Sequence, residues 1–134
     1  MTAGGSGTGA GALARLLGIR PVSMGDGRAR FELTVREDHL NPNGVVHGGI
    51  VYSLADTAMG AALFSALEPG QSCTTLEIKI NYLAPATEGD LAAEARLVQR
   101  TRRVGVLEAR VTGAGGALIA LATGTFYIQG GAAG

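Results

Sequence analysis

Metal ligands are scarce in this chain of 134 residues, which has one cysteine, Cys73, and two histidines, His39 and His47. A lone cysteine cannot form an internal disulfide, and so few sulfur and imidazole groups do not complete a structural zinc site. The sequence therefore indicates no metal site and favours the reducing cytoplasm. Net charge is absent as well, because 11 basic residues balance 11 acidic ones. Without an overall positive field, neither nucleic acid nor an anionic membrane is an expected partner.

An uninterrupted apolar run long enough to span a membrane is also lacking. The best candidate, residues 48–67, is broken by Ser53, Asp56, Thr57 and Ser65, so it reads as a buried core helix. The first residues are rich in glycine, serine and threonine and lack the basic and apolar segments of a signal peptide. No membrane partner and no export are therefore expected.

The length allows one domain with one hydrophobic core. Residues 1–11 are rich in glycine and bury too little surface to offset the entropy of ordering, so we predict a disordered N-terminus. The domain is then expected at residues 12–130, followed by a flexible C-terminus at 131–134.

Hydrophobic periodicity predicts two helices and five strands. A short helix is predicted at 12–17, with Leu13, Leu16 and Leu17 on one side, and an alternating strand follows at 28–36. A long helix, apolar nearly all round, is predicted from Ile50 to the break at residues 68–70. Alternation then predicts strands at 74–83, 91–99, 104–112 and 117–128, with Leu76, Ile78, Ile80 and Tyr82 on one face of the first. This order predicts an α+β fold, with an antiparallel sheet of five to six strands wrapped around one long central helix.

Asp56 is the only carboxylate in the long apolar helix. A buried charge is costly unless it is paired or used, and an ordinary pairing with Ser53, Thr57 or a backbone donor is one explanation. The other explanation is catalysis. Gly48 and Gly49 lie two turns earlier, at the predicted helix start, where free N–H groups can hold an anion.

Thioester hydrolysis needs donors for the developing oxyanion and a group that attacks or directs water, whereas the thiolate leaves with little help. One carboxylate and one helix N-terminus can supply both. His47 is either a base or, at so tight a glycine turn, a structural hydrogen-bond partner. We interpret His39 as a surface residue.

Several sequence motifs carry a family resemblance. Residues 41–49 read Asn-Pro-Asn-Gly-Val-Val-His-Gly-Gly, residues 54–56 read Leu-Ala-Asp, and residues 80–85 read Ile-Asn-Tyr-Leu-Ala-Pro. Together with Arg-Arg-Val at 102–104 and Glu-Ala-Arg-Val at 108–111, they resemble the phenylacetate-pathway (PaaI-like) acyl-CoA thioesterases of the hotdog superfamily. The resemblance covers all but about the first 25 residues and implies a dimer whose sheets join and whose active sites lie at the subunit interface.

The resemblance also implies roles. Asp56 is the expected base or nucleophile, and the Gly48 amide with Asn41 forms the oxyanion hole from the partner subunit. A hydroxyl on the strand after the helix is expected to position water. Thr75 fits this role best, and Thr74 is the alternative. The β-propensity of threonine explains the presence of either residue on a strand equally well. An apolar face and open sheet edges further predict pairing of dimers into a tetramer.

Arg100, Arg102 and Arg103 form the densest basic cluster and suit the phosphates of coenzyme A, although a solvated hairpin end explains them equally well. No cofactor is expected, since coenzyme A is part of the substrate. The sequence leaves the identity of the acyl group open: it is an aryl, arylacetyl or medium-chain group. The candidate residues for the acyl-binding pocket are Tyr52, Met59, Phe64 and Leu83. A hydratase or dehydratase acting on acyl thioesters and a non-catalytic acyl-CoA binding module are the competing functions.

Overall fold

The computed structural model describes residues 11–131. The predicted disordered N-terminus and flexible C-terminus therefore lie outside the described residues, apart from Gly11 and Gly131. Helix α1 (Ala12–Leu17) leads into strands β1 (Arg20–Gly25) and β2 (Arg28–Thr34), and a 3₁₀ turn (Glu37–His39) precedes helix α2 (Gly48–Phe64). Strands β3 (Gln71–Tyr82), β4 (Asp90–Arg100), β5 (Val104–Thr112) and β6 (Leu118–Gly130) follow, with a second 3₁₀ turn (Ala114–Gly116) before β6.

The six strands form one antiparallel sheet in the order β1-β2-β4-β5-β6-β3. This confirms the predicted sheet around one long helix. Strand β1 was not among the predicted strands because its residues are mostly exposed and contain Pro21, so they show no alternation.

The core lies between α2 and the inner face of the sheet. Fully buried residues of α2 share one stripe: Leu54, Ala55, Ala58, Met59, Ala62 and Leu63. The opposite stripe, with Tyr52, Ser53, Asp56, Thr57, Gly60, Ala61 and Phe64, is only half-buried. The helix is thus apolar nearly all round, as predicted, but one chain covers only one side of it.

One prediction about surface and core, that of His39, is wrong, and the leucine side of α1 is not its buried side. In α1 the buried residue is Ala14, whereas Leu13 and Leu16 are 61% and 70% exposed. His39 is only 1% exposed. Its Nδ1 accepts a hydrogen bond from the Arg36 amide at 3.0 Å, and its Nε2 lies 2.8 Å from the Leu17 carbonyl oxygen. The ring is buried because it satisfies two backbone groups and joins the end of α1 to the 3₁₀ turn.

Candidate active site

A carboxylate and a hydroxyl meet between α2 and β3. The Thr75 hydroxyl donates a hydrogen bond to Asp56 Oδ1 at 2.9 Å, while the other carboxylate oxygen accepts none within residues 11–131. Ser53, a candidate local partner for Asp56, donates instead to the Gly49 carbonyl at 2.8 Å. Asp56 is therefore held at one oxygen, and its second oxygen is left for a ligand or water.

A β-bulge in β3 brings Thr75 to this position. Thr75 pairs with Phe126 and Glu77 pairs with Thr125, so Leu76 is an extra residue on β3. The bulge resets the alternation, and Leu76 is 59% exposed instead of facing the helix with Ile78. The prediction that Leu76 shares the inner face is therefore wrong. The same bulge turns Thr75 inward and leaves Thr74 exposed on the outer face.

The surroundings of Asp56 perturb its ionisation. Burial raises the pKa of the carboxyl above its ordinary value, and the hydrogen bond from Thr75 partly opposes this. Cys73 lies next to it on the inner face, with Sγ 3.8 Å from the Gly60 carbonyl oxygen. Burial, and after it the charge of Asp56, raise the pKa of the Cys73 thiol to about 11. The thiol stays protonated, so it is not a nucleophile.

The start of α2 presents a free amide. His47 is the N-cap residue, and its Nδ1 accepts a hydrogen bond from the Gly49 amide at 2.8 Å. The amide of Gly49 is thereby used, whereas the Gly48 amide makes no hydrogen bond within the part of the chain that the structure describes. The Tyr82 hydroxyl donates to the Gly48 carbonyl at 2.9 Å. The Gly48 N–H is therefore a fixed, unoccupied donor at the positive end of the helix.

Asn41 is oriented by its own loop. Its Oδ1 accepts hydrogen bonds from the Asn43 amide at 2.9 Å and the Val45 amide at 3.3 Å. Both acceptor positions of the side-chain oxygen are thus used, which fixes the orientation of the side-chain amide. Among the described residues this NH₂ group has no acceptor, so it is a second free donor.

The helix keeps these two groups of residues apart within one chain. Gly48 and Asp56 are eight residues apart on α2, which corresponds to about 12 Å along the axis. An acyl carbonyl bound to the Gly48 amide is therefore out of reach of Asp56 in the same chain. Within one chain, the Gly48 amide and the Asp56 carboxylate therefore cannot both reach one carbonyl group.

An open depression of about 320 Å³ lies at the start of α2. Its lining is mainly apolar and includes Gly48, Val51, Tyr82, Leu83 and Pro85. Leu83, a predicted pocket residue, is 54% exposed here, whereas Met59, another, is fully buried in the core and cannot line a pocket. Tyr52 and Phe64 lie on the half-buried stripe of α2.

The arginine cluster lies at the turn between β4 and β5, near the end of α2. Arg100 donates to the Ala66 carbonyl at 3.5 Å, and Arg103 donates to the Tyr127 hydroxyl at 3.4 Å. Arg102 is exposed and has no partner within residues 11–131. Two of the three side chains therefore contact the protein, and Arg102 alone is free for a phosphate.

The sequence interpretation missed two residues of the site, Cys73 and Tyr82. Cys73 precedes the bulge that sets its direction, and Tyr82 was assigned only to a strand face. Residues 11–131 contain no group of three His, Cys, Asp or Glu side chains that could hold a metal ion. Within the same range, no helix is long and apolar enough to cross a membrane.

Comparisons with known proteins identify the family. A family model described as the thioesterase superfamily matches residues 43–120. The chain is 33% identical over 121 residues to the acyl-coenzyme A thioesterase PaaI of Escherichia coli, covering 90% of this chain and 84% of that protein. It is 32% identical over 100 residues to the 1,4-dihydroxy-2-naphthoyl-CoA hydrolase of Listeria monocytogenes, covering 75% of this chain and 81% of that protein.

Solved structures show the same architecture. Conserved protein PA5202 of Pseudomonas aeruginosa superposes with a TM-score of 0.86 at 37% identity, over 92% of this chain and 98% of that chain. The E. coli PaaI structure superposes with a TM-score of 0.84 at 32% identity, over 90% of this chain and 86% of that chain. The strand order, the single long helix and these superpositions together identify the hotdog fold.

Proposed function

The chain belongs to the thioesterase superfamily and is a thioester hydrolase, and on this basis we propose that it hydrolyses acyl-CoA at sites shared between two subunits. The observation that carries the proposal is the separation of the two half-sites. One half-site is Asp56 with Thr75 of β3, and the other is Gly48 with Asn41 of the preceding loop. Their chemistry is complementary, but Gly48 and Asp56 lie about 12 Å apart along α2. An antiparallel arrangement of two α2 helices would bring each Asp56 next to the partner subunit's Gly48.

In the proposed mechanism the thioester carbonyl oxygen binds to the Gly48 amide and the Asn41 NH₂ group, which stabilise the negative charge that develops there. Asp56 acts as a general base that takes a proton from water, or as a nucleophile that forms an anhydride later cleaved by water. In either route the carbon–sulfur bond breaks. Coenzyme A leaves as the thiolate, and the products are the free acid and the thiol.

Thr75 and His47 support this chemistry in different ways. The Thr75 hydroxyl holds one oxygen of Asp56, so the second oxygen can face water. His47 is proposed to act as the helix cap that fixes the Gly48 turn, because its Nδ1 is already bonded to the Gly49 amide. Its Nε2 then carries the ring proton, which makes the neutral ring a donor and not a base.

The competing functions fit the site less well. A hydratase or dehydratase would need a catalytic histidine beside the acid, but His39 is bonded to backbone groups and His47 caps the helix. A binding module would gain nothing from a half-buried carboxylate with a raised pKa. Both observations support hydrolysis.

We propose aryl-CoA, arylacetyl-CoA or medium-chain acyl-CoA as substrates, with the nucleotide held near Arg102. The names of the E. coli and Listeria relatives, an acyl-coenzyme A thioesterase and a dihydroxynaphthoyl-CoA hydrolase, support the coenzyme A part and an aromatic acyl group. We also propose a cytoplasmic location and a dimer of dimers. The exposed apolar side chains of Leu76, Val98 and Val106 support a second contact between dimers.

A panel of acyl-CoA thioesters, with thiol release as the readout, tests the activity and ranks the acyl groups. Asp56→Asn keeps the oxygen that accepts from Thr75 but can neither take a proton nor attack, so kcat should fall by roughly 100-fold to 1,000-fold or more. Asp38→Asn, which alters an exposed carboxylate outside the site, is the matched control. Activity of Asp56→Asn within tenfold of wild type in a folded sample would contradict the assignment.

A further inference from the structure

Two peptide planes at the start of α2 are held so that one polar group is left over. The plane between His47 and Gly48 is fixed by its carbonyl, which accepts a hydrogen bond from the Ile50 amide at 2.9 Å. The plane between Gly48 and Gly49 is fixed at both ends. Its carbonyl accepts from the Tyr82 hydroxyl at 2.9 Å, and its N–H donates to His47 Nδ1 at 2.8 Å. Of the four polar groups in these planes, the Gly48 N–H is the one without a partner among the described residues.

The direction of this N–H depends on how firmly the plane that follows it is held. Two consecutive glycines, Gly48 and Gly49, make the turn easy to distort, because glycine has the widest choice of backbone conformations. His47 holds the plane from within the same loop, so loop and plane can move together. Tyr82 holds it from β3 and therefore ties the plane to the sheet.

The contact with Tyr82 also explains why residue 48 is a glycine. Gly48 has no positive φ, so its backbone conformation suits any residue. A Cβ atom at this position, however, would lie 3.2 Å from both Cζ and the hydroxyl oxygen of Tyr82, which is closer than an ordinary contact. The tyrosine ring thus occupies the space that a side chain at residue 48 would need.

The Tyr82 phenol is a hydrogen-bond donor at neutral pH. Burial, and after it the neighbouring Tyr52, raise the pKa of the phenol above its ordinary value of 10. Tyr82 is nevertheless 51% exposed, so water competes for the hydroxyl and the bond adds little to the stability of the fold. A bond that adds little stability but fixes a candidate catalytic amide indicates a role in orientation.

Strand β3 thereby carries one positioning hydroxyl for each half of the proposed site. Thr75 bonds to Asp56, and Tyr82 bonds to Gly48. The positions of Thr75 and Tyr82 differ by an odd number, so strict alternation would place the two side chains on opposite faces. The extra residue Leu76 corrects this and puts both on the helix side of the sheet.

We propose that Tyr82 is a positioning residue for hydrolysis, whose hydroxyl holds the Gly48–Gly49 peptide so that the Gly48 N–H faces the developing oxyanion. Tyr82 acts through Gly48 and does not touch the reacting atoms. This inference rests on the proposed function, because it assigns Tyr82 a task at the same site.

Tyr82→Phe tests the role, since it removes the hydroxyl and keeps the ring. The kcat for an acyl-CoA should fall about 3-fold to 10-fold, the scale of one neutral hydrogen bond, while KM and the urea midpoint of unfolding stay unchanged. The acidic limb of the kcat profile should also stay in place, because the contacts of Asp56 are unaltered. Tyr127→Phe removes a hydroxyl that bonds to Arg103 and is the matched control, whose kcat should equal that of wild type.

Gly48→Ala separates an effect through Gly48 from a direct contact of Tyr82 with the substrate. The added methyl group should push the Tyr82 hydroxyl away from the carbonyl while the N–H donor stays. Tyr82→Phe added to Gly48→Ala should then lower kcat no further. Equal losses from Tyr82→Phe in the wild-type and Gly48→Ala backgrounds would overturn the proposal.

The Gly48 amide can also be observed without any activity. His47–Gly48 is the single His-Gly step of the sequence, so carbonyl-¹³C histidine combined with ¹⁵N-glycine labels this one peptide bond for NMR. The order parameter of the Gly48 N–H should be near the rigid value of about 0.85 in wild type and in Tyr127→Phe, and it should fall in Tyr82→Phe.

A lower kcat at unchanged KM and urea midpoint, together with a lower order parameter, supports the proposal. An unchanged kcat, a change in KM alone, a lower urea midpoint or an unchanged order parameter in Tyr82→Phe overturns it. If wild type hydrolyses no acyl-CoA, the proposed function fails. The order parameters still decide in that case whether Tyr82 holds the Gly48 amide.

Discussion

The hydrogen bond from Thr75 to Asp56 should tune both the rate and the pH dependence of hydrolysis. Thr75→Val keeps the shape of the side chain and removes the hydroxyl. A hydrogen bond to a charged group contributes about 1.5–3 kcal/mol, and the partial exposure of Asp56 reduces this to about 1–2 kcal/mol. If the bond holds the reactive carboxylate in the transition state, kcat should fall roughly 5-fold to 30-fold.

The same substitution should move the acidic limb of the pH profile. The Thr75 hydroxyl lowers the pKa of Asp56 against the effect of burial, so its loss should raise that pKa further. The carboxylate would then form only at higher pH, and the acidic limb of kcat should shift upward. Thr75→Ser should restore rate and profile, and Thr74→Val, on the outer face, should change neither. An unchanged profile for Thr75→Val, or an equal effect of Thr74→Val, would refute the assigned role.

Three further predictions follow from the same contacts. Because burial raises the pKa of Asp56 above its ordinary value of 3.8, the folded state binds more protons just above that value and stability falls as pH rises through this window. Asp56→Asn should therefore unfold at higher urea concentration than wild type at neutral pH, a gain that disappears below about pH 3.8. His47→Ala should lower the free energy of unfolding by about 1 kcal/mol because it removes the helix cap, and His47→Asn should recover most of this loss. Equal urea midpoints for wild type, His47→Ala and His47→Asn would contradict this role. Arg102→Ala should raise KM for an acyl-CoA but not for the matching acyl-pantetheine thioester, which lacks the nucleotide phosphates. Arg110→Ala is the surface control. Equal changes in the two KM values of Arg102→Ala would exclude a phosphate contact.

The sequence predicted the architecture because hydrophobic periodicity directly reports which side of an element is buried. The stripe from Leu54 to Ala62 and the alternation in the later strands placed α2 and β3–β6 within three residues of their observed bounds. The motif at residues 41–49 was equally informative, since its glycines and asparagines permit a tight turn before a helix. Spacing therefore placed Asp56 two turns after a helix start with free N–H groups, whereas the oxyanion-hole role of the Gly48 amide came from the family resemblance.

Other features depend on contacts between distant segments, which periodicity does not encode. The bulge at Leu76 changes which residues of β3 face the helix, and a strict alternation would have turned Thr75 outward. His39 is buried because the carbonyl of Leu17, 22 residues away, needs a donor. Leu13 and Leu16 have the spacing of a core face, yet this chain provides no surface to cover them.

The division of the active site between two subunits is the central claim, and mixing two inactive proteins tests it. One carries Asp56→Asn. The other carries Asn41→Asp, which keeps the oxygen that accepts from Asn43 and Val45 but removes the NH₂ donor. Loss of one oxyanion-hole donor costs about 100-fold or more, so each protein alone should be nearly inactive.

After the two variants are unfolded and refolded together in equal amounts, random pairing makes about half of the dimers mixed. In a mixed dimer both lesions fall in one site and the other site is wild type, so hydrolysis of an acyl-CoA should recover to roughly a quarter of the wild-type rate. Tags of different length on the two chains verify that mixed dimers form. If Asp56 and Asn41 act within one subunit, every site keeps a lesion, and mixed dimers with only the average activity of the two variants would contradict the shared site.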